Sequence, residues 1–379
     1  MARATVFVTG AGSLAGQGIL RSLRMSRFPM RIVTGDPDPR AAGHWLGDCA
    51  YTIPMVADPE FLPCLEAILA REAATVLLIG TDIELPLLSR ARGRIEGTLG
   101  THVVVSSPRV VDIADDKWLT ARFLYEEGFP APLSALADDA ERLRRLVDAV
   151  GFPLFAKPRR GARSVGAMVV PDQAALDAVV ARGGNMVIQE LLPDTPGEYT
   201  AGCIVADGRC ACTVVLRRDL RDGNTYRAYS EGATGFEEML AAVAERLGAD
   251  GPCNFQFRVK DGQAVIFEIN ARFSGTTPLR AIFGVNEVEA VVANLVEGRP
   301  IAPPTPRQGV VLRAWSDLYV DRGEIDALAA MQRLPHPGGE PVAFDASPLG
   351  GEGRETTGDY TGVLQALRAP RVVTTGVQT

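Results

Sequence analysis

The sequence predicts an α/β fold with a doubly wound parallel sheet in its first third, followed by an α+β region of hairpins and helices. Three observations predict it. Residues 3–110 alternate short β-rich runs with helical stretches, the βαβ pattern of a parallel sheet. After Gly128-Phe129-Pro130 the strands begin to come in pairs, two pairs being joined at Asp207-Gly208 and Asp261-Gly262. The 379 residues, 46% of them hydrophobic, suffice for two or three domains with filled cores.

The elements follow in order. Ala4 to Thr9 is the first strand, and Gly10-Ala11-Gly12-Ser13-Leu14-Ala15-Gly16 turns it into a helix reaching about Met25. Arg31 to Gly35 is a strand ending at Asp36-Pro37-Asp38. Phe61 to Arg71 is a helix, Ala74 to Ile79 a strand, Ile83 to Arg94 a helix and His102 to Ser106 a strand. Ligands of such sheets lie beyond the carboxyl ends of the strands, where Gly10 to Gly16, Asp36 and Thr81-Asp82-Ile83-Glu84 fall. Asp82 reads as an ordinary helix N-cap, with Glu84 an acid in the first turn.

Asp115 to Glu127 and Asp138 to Val150 are helices, and Pro153 to Pro158 is a strand. A basic turn, Arg159 to Gly166, leads to a strand at Ala167 to Val170 and a helix at Gln173 to Arg182. Met186 to Leu191 is a strand. Tyr199 to Val205 pairs with Arg209 to Leu216, and Cys253 to Val259 with Ala264 to Asn270. The segment Arg217 to Thr225 is too charged for a core and reads as a solvated loop. Phe236 to Leu247 and Asn286 to Glu297 are helices, and Gln308 to Tyr319 is mostly strand. Gly, Pro and charged residues dominate from Pro335 on, leaving Tyr360 to Leu367 as the best-patterned piece of the tail.

The net charge of −7 argues against general nucleic-acid binding. No apolar run reaches the length of a membrane span, and Met1-Ala2-Arg3-Ala4 has no signal-peptide pattern. Six cysteines lack CxxC spacing and three histidines lie far apart, so a zinc site is not expected. A reduced, cytoplasmic protein is expected, without nucleic-acid or membrane partners and with a homodimer as the commonest assembly.

Phe267-Glu268-Ile269-Asn270-Ala271-Arg272 carries the strongest chemical signal. Successive strand residues point to opposite faces, so Glu268, Asn270 and Arg272 share one face. A carboxylate and an amide oxygen there make a seat for Mg²⁺, and the arginine offers a fork for phosphate or carboxylate. An exposed edge strand with ordinary polar residues is the alternative. Lys157 ends an apolar strand, a costly place for a cation without a counter-charge.

Several elements in the same order resemble the ATP-grasp superfamily, and most of all its carbamoyl-phosphate-synthetase-like carboxylate–amine ligases. They are Asp115-Asp116-Lys117, Gly151 to Pro158, Val187-Ile188-Gln189-Glu190-Leu191-Leu192 with Glu198, Asn254-Phe255-Gln256-Phe257, and the hexapeptide above. The resemblance spans roughly residues 5–320. It implies a doubly wound pre-ATP-grasp domain over 1–110, ATP-grasp lobes over 111–185 and 186–320, and a C-terminal extension over 321–379. It implies that Lys117 and Lys157 meet the ATP phosphates and that Arg159 to Gly166 covers them. Gln189, Glu190 and Leu192 would flank adenine, and Glu198 would bind ribose. Gln256, Glu268 and Asn270 would hold Mg²⁺, with Mn²⁺ as a substitute. Arg272 and Lys157 would be the catalytic cations, with Arg280, Arg217 and Arg227 as substrate-binding candidates.

One condition follows from strand parity. Gln256 and Glu268 share a face only if the loop at Asp261-Gly262 has an odd number of residues or a bulge intervenes. A three-residue loop with Gly262 left-handed is the expectation.

The resemblance further implies a biosynthetic ligase for small molecules. A carboxylate attacks the γ-phosphorus of ATP, and an amine then displaces phosphate from the acyl phosphate. Rival readings stay open. Gly10, Gly12 and Gly16 with Asp36 look like a nicotinamide-dinucleotide site, although the spacing is GxGxxxG. A non-catalytic ATP-binding subunit is a second rival. Glycine for a tight strand-to-helix turn explains the first without a ligand.

Overall fold

A computed structural model describes residues 4–161, 165–183, 185–314 and 316–341. The first sheet forms from β1 (Ala4–Val8), β2 (Met30–Asp36), β3 (Cys49–Thr52), β4 (Val76–Leu78) and β5 (His102–Val104). These pair in parallel, β1 centrally between β2 and β4. All five residues of β1 are buried, as expected of a strand covered on both faces. Helices α1 (Leu14–Arg24), α2 (Phe61–Arg71) and α3 (Leu85–Leu99) are the crossovers. One core joins Phe7, Phe61, Leu65 and Leu88 on one side of the sheet. A second joins Val6, Val8, Ile19 and Leu20 to residues of the later sheet.

Helices α4 (Pro108–Asp115) and α5 (Lys117–Glu126) replace the single helix expected over Asp115 to Glu127. Asp116 separates them with extended backbone and caps α5, accepting from the amides of Trp118 (2.9 Å) and Leu119 (3.3 Å). Next come β6 (Ser134–Leu136), α6 (Ala140–Val150), β7 (Leu154–Pro158), β8 (Met168–Val170), α7 (Gln173–Ala181) and β9 (Met186–Glu190). The strands form an antiparallel sheet in the order β6-β9-β7-β8. Its core packs Leu154, Ala156 and Ile188 against Leu143 and Leu176 of the helices.

The third sheet contains β10 (Glu198–Ala206), β11 (Arg209–Arg221), β12 (Asn224–Ser230), β13 (Gly251–Lys260), β14 (Gln263–Asn270) and β15 (Gly309–Leu312), ordered β14-β13-β10-β11-β12-β15. Three of its connections are two-residue Asp-Gly turns. Asp207-Gly208, Asp222-Gly223 and Asp261-Gly262 all have positive φ, 51–52° at Asp and 72–75° at Gly. The second corrects the solvated loop expected over Arg217 to Thr225: that segment continues β11, turns and starts β12. Helix α8 (Glu237–Leu247) buries Leu240, Val243 and Leu247 against Phe255, Phe257 and Ile266. Truncating a phenylalanine in such a core costs about 3–5 kcal/mol.

The loop at Asp261-Gly262 also corrects an expectation. It has two residues, pairing Lys260 with Gln263, and the parity change comes from a bulge instead. Phe257 pairs with Ile266 while Gln256 pairs with Glu268, leaving Phe267 as the extra residue. Without it, the alternation that buries Ala264 and Ile266 would bury Glu268 and Asn270 as well.

Helices α9 (Thr277–Ile282) and α10 (Glu287–Glu297) pack on α1. After β16 (Leu318–Tyr319) and α11 (Arg322–Met331), β17 (Arg333–Pro335) returns to the first sheet and pairs antiparallel with β3, and β18 (Glu340–Pro341) pairs with β16. Residues Met1–Pro341 form one compact unit. The tail segment Tyr360 to Leu367 lies outside the described residues. Among those residues, no helix is long and apolar enough to cross a membrane.

Candidate functional site

A cavity of about 400 Å³ lies between the second sheet and the open face of the third. Strand alternation sets its walls. Lys157 comes from β7, Gln189 and Glu190 from β9, and Leu192 from the linker after it. Glu198, Arg218, Gln256, Arg258 and Glu268 come from the third sheet, and Lys117 from the start of α5.

Lys157 is buried at 6% exposure and has no carboxylate partner within ion-pair reach among the described residues. Its Nζ donates to the carbonyl of Phe267, 3.0 Å away, and lies 5.3 Å from that ring's centre. The bulge makes the contact, since the extra residue's carbonyl is released from the strand ladder. Burial lowers the Lys157 pKa to about 8, with the Glu268 charge opposing the shift and Lys117 adding to it. Lys117 Nζ donates to the Gly161 carbonyl at 2.7 Å. Arg159 and Arg160 hold the base of the basic turn through Asp116 (2.5 Å) and Asp115 (3.1 Å). Residues 162–164 of that turn lie outside the described residues.

On the adenine side of the expected site, Gln189 Nε2 donates to Ser134 Oγ at 2.8 Å. Glu190 accepts from the Leu133 amide (3.1 Å) and pairs with Lys260. The Leu192 carbonyl accepts from Arg258 at 3.1 Å. Glu198 is held by two arginines, Arg218 on one oxygen and Arg258 on the other at 3.3 Å.

The three oxygen donors expected to hold metal differ in availability. Glu268 accepts a 3.2 Å bond from the Asn270 amide and, among the described residues, has no cation paired with it. Asn270 Oδ1 accepts from Arg272 Nη2, also at 3.2 Å. Gln256 Oε1 accepts from Arg218 Nη2 at 2.7 Å, and like Asn270 Oδ1 it keeps a second lone pair. Glu268 fits a divalent cation, as do the remaining lone pairs of Gln256 and Asn270. Among the described residues, no three His, Cys, Asp or Glu side chains gather at one point. Mg²⁺ tolerates so small a donor set, because phosphate oxygens and water complete its shell.

Arg272 makes a two-pronged ion pair with Asp82, 2.6 Å between Nη2 and Oδ2, and also donates to the Phe273 carbonyl. Asp82 is thus not the helix N-cap expected; Thr81 holds that position without a side-chain cap. Glu84 is buried and accepts from Thr9 Oγ1. Burial raises its pKa to about 7, opposed by hydrogen bonds from Thr9 and Thr81.

Three substrate candidates are displaced. Arg280 is 1% exposed, paired at 2.8 Å with an equally buried Glu287 and bonded to Thr276 Oγ1 (2.8 Å) and Thr277 Oγ1 (3.1 Å). Gly202 makes this possible, because a Cβ there would lie 2.1 Å from Glu287 and 2.5 Å from Arg280. The arginine belongs to the core. Arg217 and Arg227 lie on the face of β11 and β12 opposite the cavity. Arg217 stacks 3.9 Å from the Tyr229 ring centre and pairs with Glu231, while Arg227 pairs with Asp219 at 3.5 Å. Arg218, one residue along, is the one that turns inward. The Asp222-Gly223 signal could have revealed it, since a hairpin there makes Arg217 and Arg218 alternate across a sheet.

The N-terminal glycine turn is closed on itself. The Gly12 amide donates to Asp36 Oδ2 at 2.7 Å, and a Cβ on Gly16 would lie 2.0 Å from the Gly10 carbonyl. The group a dinucleotide would need is already bonded, against the oxidoreductase reading.

Comparison with known proteins agrees with this fold. Residues 183–318 match the family model described as ATP-grasp in the biosynthetic pathway with Ter operon. The carbamoyl phosphate synthase large chain of Mesorhizobium japonicum is 23% identical over 363 residues, covering 80% of this chain and 30% of that one. The chain therefore spans about a third of the length of that relative. Among solved structures, N5-carboxyaminoimidazole synthetase from Staphylococcus aureus, complexed with ADP, superposes with a TM-score of 0.61 at 12% identity over 86% of this chain and 85% of that one. The biotin carboxylase domain of Hydrogenobacter thermophilus 2-oxoglutarate carboxylase, solved with MgADP, ADP and bicarbonate, gives 0.63 at 15% identity over 81% and 73%. The parallel sheet followed by two antiparallel sheets is an ATP-grasp fold.

Proposed function

We propose that this chain, built on the ATP-grasp fold, is an ATP-dependent ligase that joins a carboxylate to an amine in a biosynthetic reaction, with ATP in the cavity around Lys157. The observation that carries this reading is charge left over. The cavity holds a buried lysine and a half-buried carboxylate, Lys157 and Glu268, neither matched by an ion-pair partner among the described residues, while the acids and arginines around them are paired. Phosphate oxygens would satisfy the lysine, and a divalent cation bound with them would satisfy the acid.

The chemistry follows from that placement. A substrate carboxylate oxygen bonds to the γ-phosphorus and the bond to the β-phosphate oxygen breaks, giving ADP and an acyl phosphate. The amine nitrogen then bonds to the acyl carbon, phosphate leaves and the nitrogen loses a proton. Lys157 and Lys117 orient the phosphates, and Arg272, held by Asp82, faces the charge that develops on the transferring group. Gln256, Glu268 and Asn270 would hold Mg²⁺, which would supply charge neutralisation to the phosphates. The walls around Phe267, Val169 and Leu192 would keep water from the acyl phosphate.

The test mixes protein, ATP and Mg²⁺ with a pool of amino acids and small carboxylic acids and follows phosphate release, alongside Glu268→Ala. Release that requires one acid–amine pair and disappears in the variant supports the ligase. Tight Mg·ATP binding with no release for any pair points to the binding-subunit reading, and no ATP binding sinks both.

A further inference from the structure

An amide side chain can hold a cation only through its oxygen, so a glutamine ligand can fail in a way a carboxylate cannot: turned over, it presents two N–H hydrogens. Gln256 is open to that failure. It lies directly opposite Glu268 in the ladder of β13 and β14, where side chains of paired residues meet. A carboxylate is a strong acceptor for an amide N–H. With its nitrogen toward Glu268, Gln256 would occupy the acid and close the seat between them. Arg218 lies on the other side of this amide. Its guanidinium is 8% exposed and lines the cavity. Nε and Nη2 donate to Glu198 Oε1, Nη1 donates to Thr225 Oγ1 at 3.3 Å, and Nη2 reaches Gln256 Oε1 at 2.7 Å. A guanidinium has donors and no acceptor, so only the oxygen end of Gln256 can face it. Glu198 on β10 and Thr225 on β12 hold the arginine before any ligand arrives.

We infer that Arg218 is a positioning residue for the metal seat: by holding the Gln256 oxygen it fixes which end of that amide is presented beside Glu268, and the second lone pair of Oε1 is thereby kept for a divalent cation. This rests on the nucleotide and metal reading of the cavity and goes beyond it. Arg218 touches no cation itself. It acts as the outer hydrogen-bond partner of a ligand, a role whose loss weakens metal binding about 10–100-fold. Nη2 bonds both Gln256 and Glu198, so one group ties the metal seat to the acid proposed for ribose. The guanidinium also carries a charge that repels a nearby cation. Removing Arg218 alone would therefore mix two effects of opposite sign. Comparing its removal with and without the Gln256 amide separates them, because the charge is the same in both cases and the orientation matters in only one.

Metal affinity tests this without catalysis. Full-length protein and a non-hydrolysable ATP analogue are mixed in equal amounts, well above the concentration at which each variant binds the analogue. Mn²⁺ is titrated in, and its protein-bound form is read by electron paramagnetic resonance. Gln256→Leu is expected to weaken Mn²⁺ binding at least about tenfold in the wild-type background. In the Arg218→Met background the same substitution is expected to change it by less than about twofold or to strengthen it, since the turned amide no longer serves as a ligand. Arg218→Lys keeps a charged donor for the Gln256 oxygen, and there Gln256→Leu is expected to weaken binding about tenfold again. A tenfold loss from Gln256→Leu in the Arg218→Met background would overturn the inference, because the amide would then be oriented without the arginine. Absence of a loss from Gln256→Leu in the wild type would also overturn it while leaving the nucleotide site standing, and that arm holds even if Arg218→Met does not fold. Failure of the wild type to bind the analogue at any Mn²⁺ concentration would overturn the nucleotide reading and this inference together.

Discussion

The glycine turn at Gly10–Gly16 and the cavity around Lys157 each have the residue types of a nucleotide site, and they differ in what their polar groups touch. In the turn, the Gly12 amide is bonded to Asp36, and Gly16 and Gly80 are pressed against the carbonyls of Gly10 and Thr9. Glycine there serves chain-to-chain contact. In the cavity, Lys157 and Glu268 have no ion-pair partner among the described residues, beside apolar walls at Phe155, Val169 and Phe267 and the paired charges around them. Glycine spacing reports the shape of the backbone, whereas charge without a protein partner is what the proposed nucleotide site rests on.

The largest expected effect breaks the first half of this contrast. Gly16→Ala forces a Cβ onto the Gly10 carbonyl and should lower stability by about 3 kcal/mol, the upper range of overpacking, without changing nucleotide affinity of the folded fraction. Chemical denaturation and nucleotide titration on the same variant check both parts. Lys157→Met should do the reverse. It removes charge-assisted bonds to phosphate and should weaken nucleotide binding about 100-fold, near 2.7 kcal/mol, while denaturation shows no loss of stability, since a desolvated charge has gone.

The pH dependence sharpens the comparison. The Lys157 pKa is depressed to about 8, so its protonated form, which binds phosphate, is lost as pH rises through that value. Nucleotide affinity in the wild type should fall up to about tenfold per unit above pH 8 and be level between pH 6 and 7. The same depression means protonation of Lys157 weakens the unliganded fold at pH below 8, so Lys157→Met should be relatively more stable at pH 7 than at pH 10. The smallest effect belongs to Asp82→Asn. Loss of the ion pair should let Arg272 wander and slow ligand-dependent phosphate release about fivefold, with nucleotide affinity unchanged.

Much of the fold was legible because it rests on short-range signals. The βαβ alternation gave the parallel sheet, and Asp-Gly turns gave two hairpins. The third turn, Asp222-Gly223, carried the same signal but was masked by the charge of Arg217 to Arg221, and the error moved Arg218 from a cavity wall to solvent. Lys157 and Glu268 were legible because a charge ending or interrupting an apolar strand is conspicuous. Arg280 was not, because its burial depends on Glu287 and on the space left at Gly202, which no local pattern reveals. Asp82 was misread for the same reason: Arg272 is 190 positions away.

The bulge at Phe267 has a consequence for how such a site can be gained or lost. Glu268, Asn270 and Arg272 stay in phase with one another under any substitution, but their phase against Gln256 and the core depends on one added residue. Removing Phe267 would turn Glu268 and Asn270 toward Phe255 and Phe257, offer Ile269 to the cavity and withdraw the carbonyl that holds Lys157. The frame of this candidate face is therefore set by insertion and deletion. A chain could keep every charged residue discussed here and still lose the site through a change one residue long.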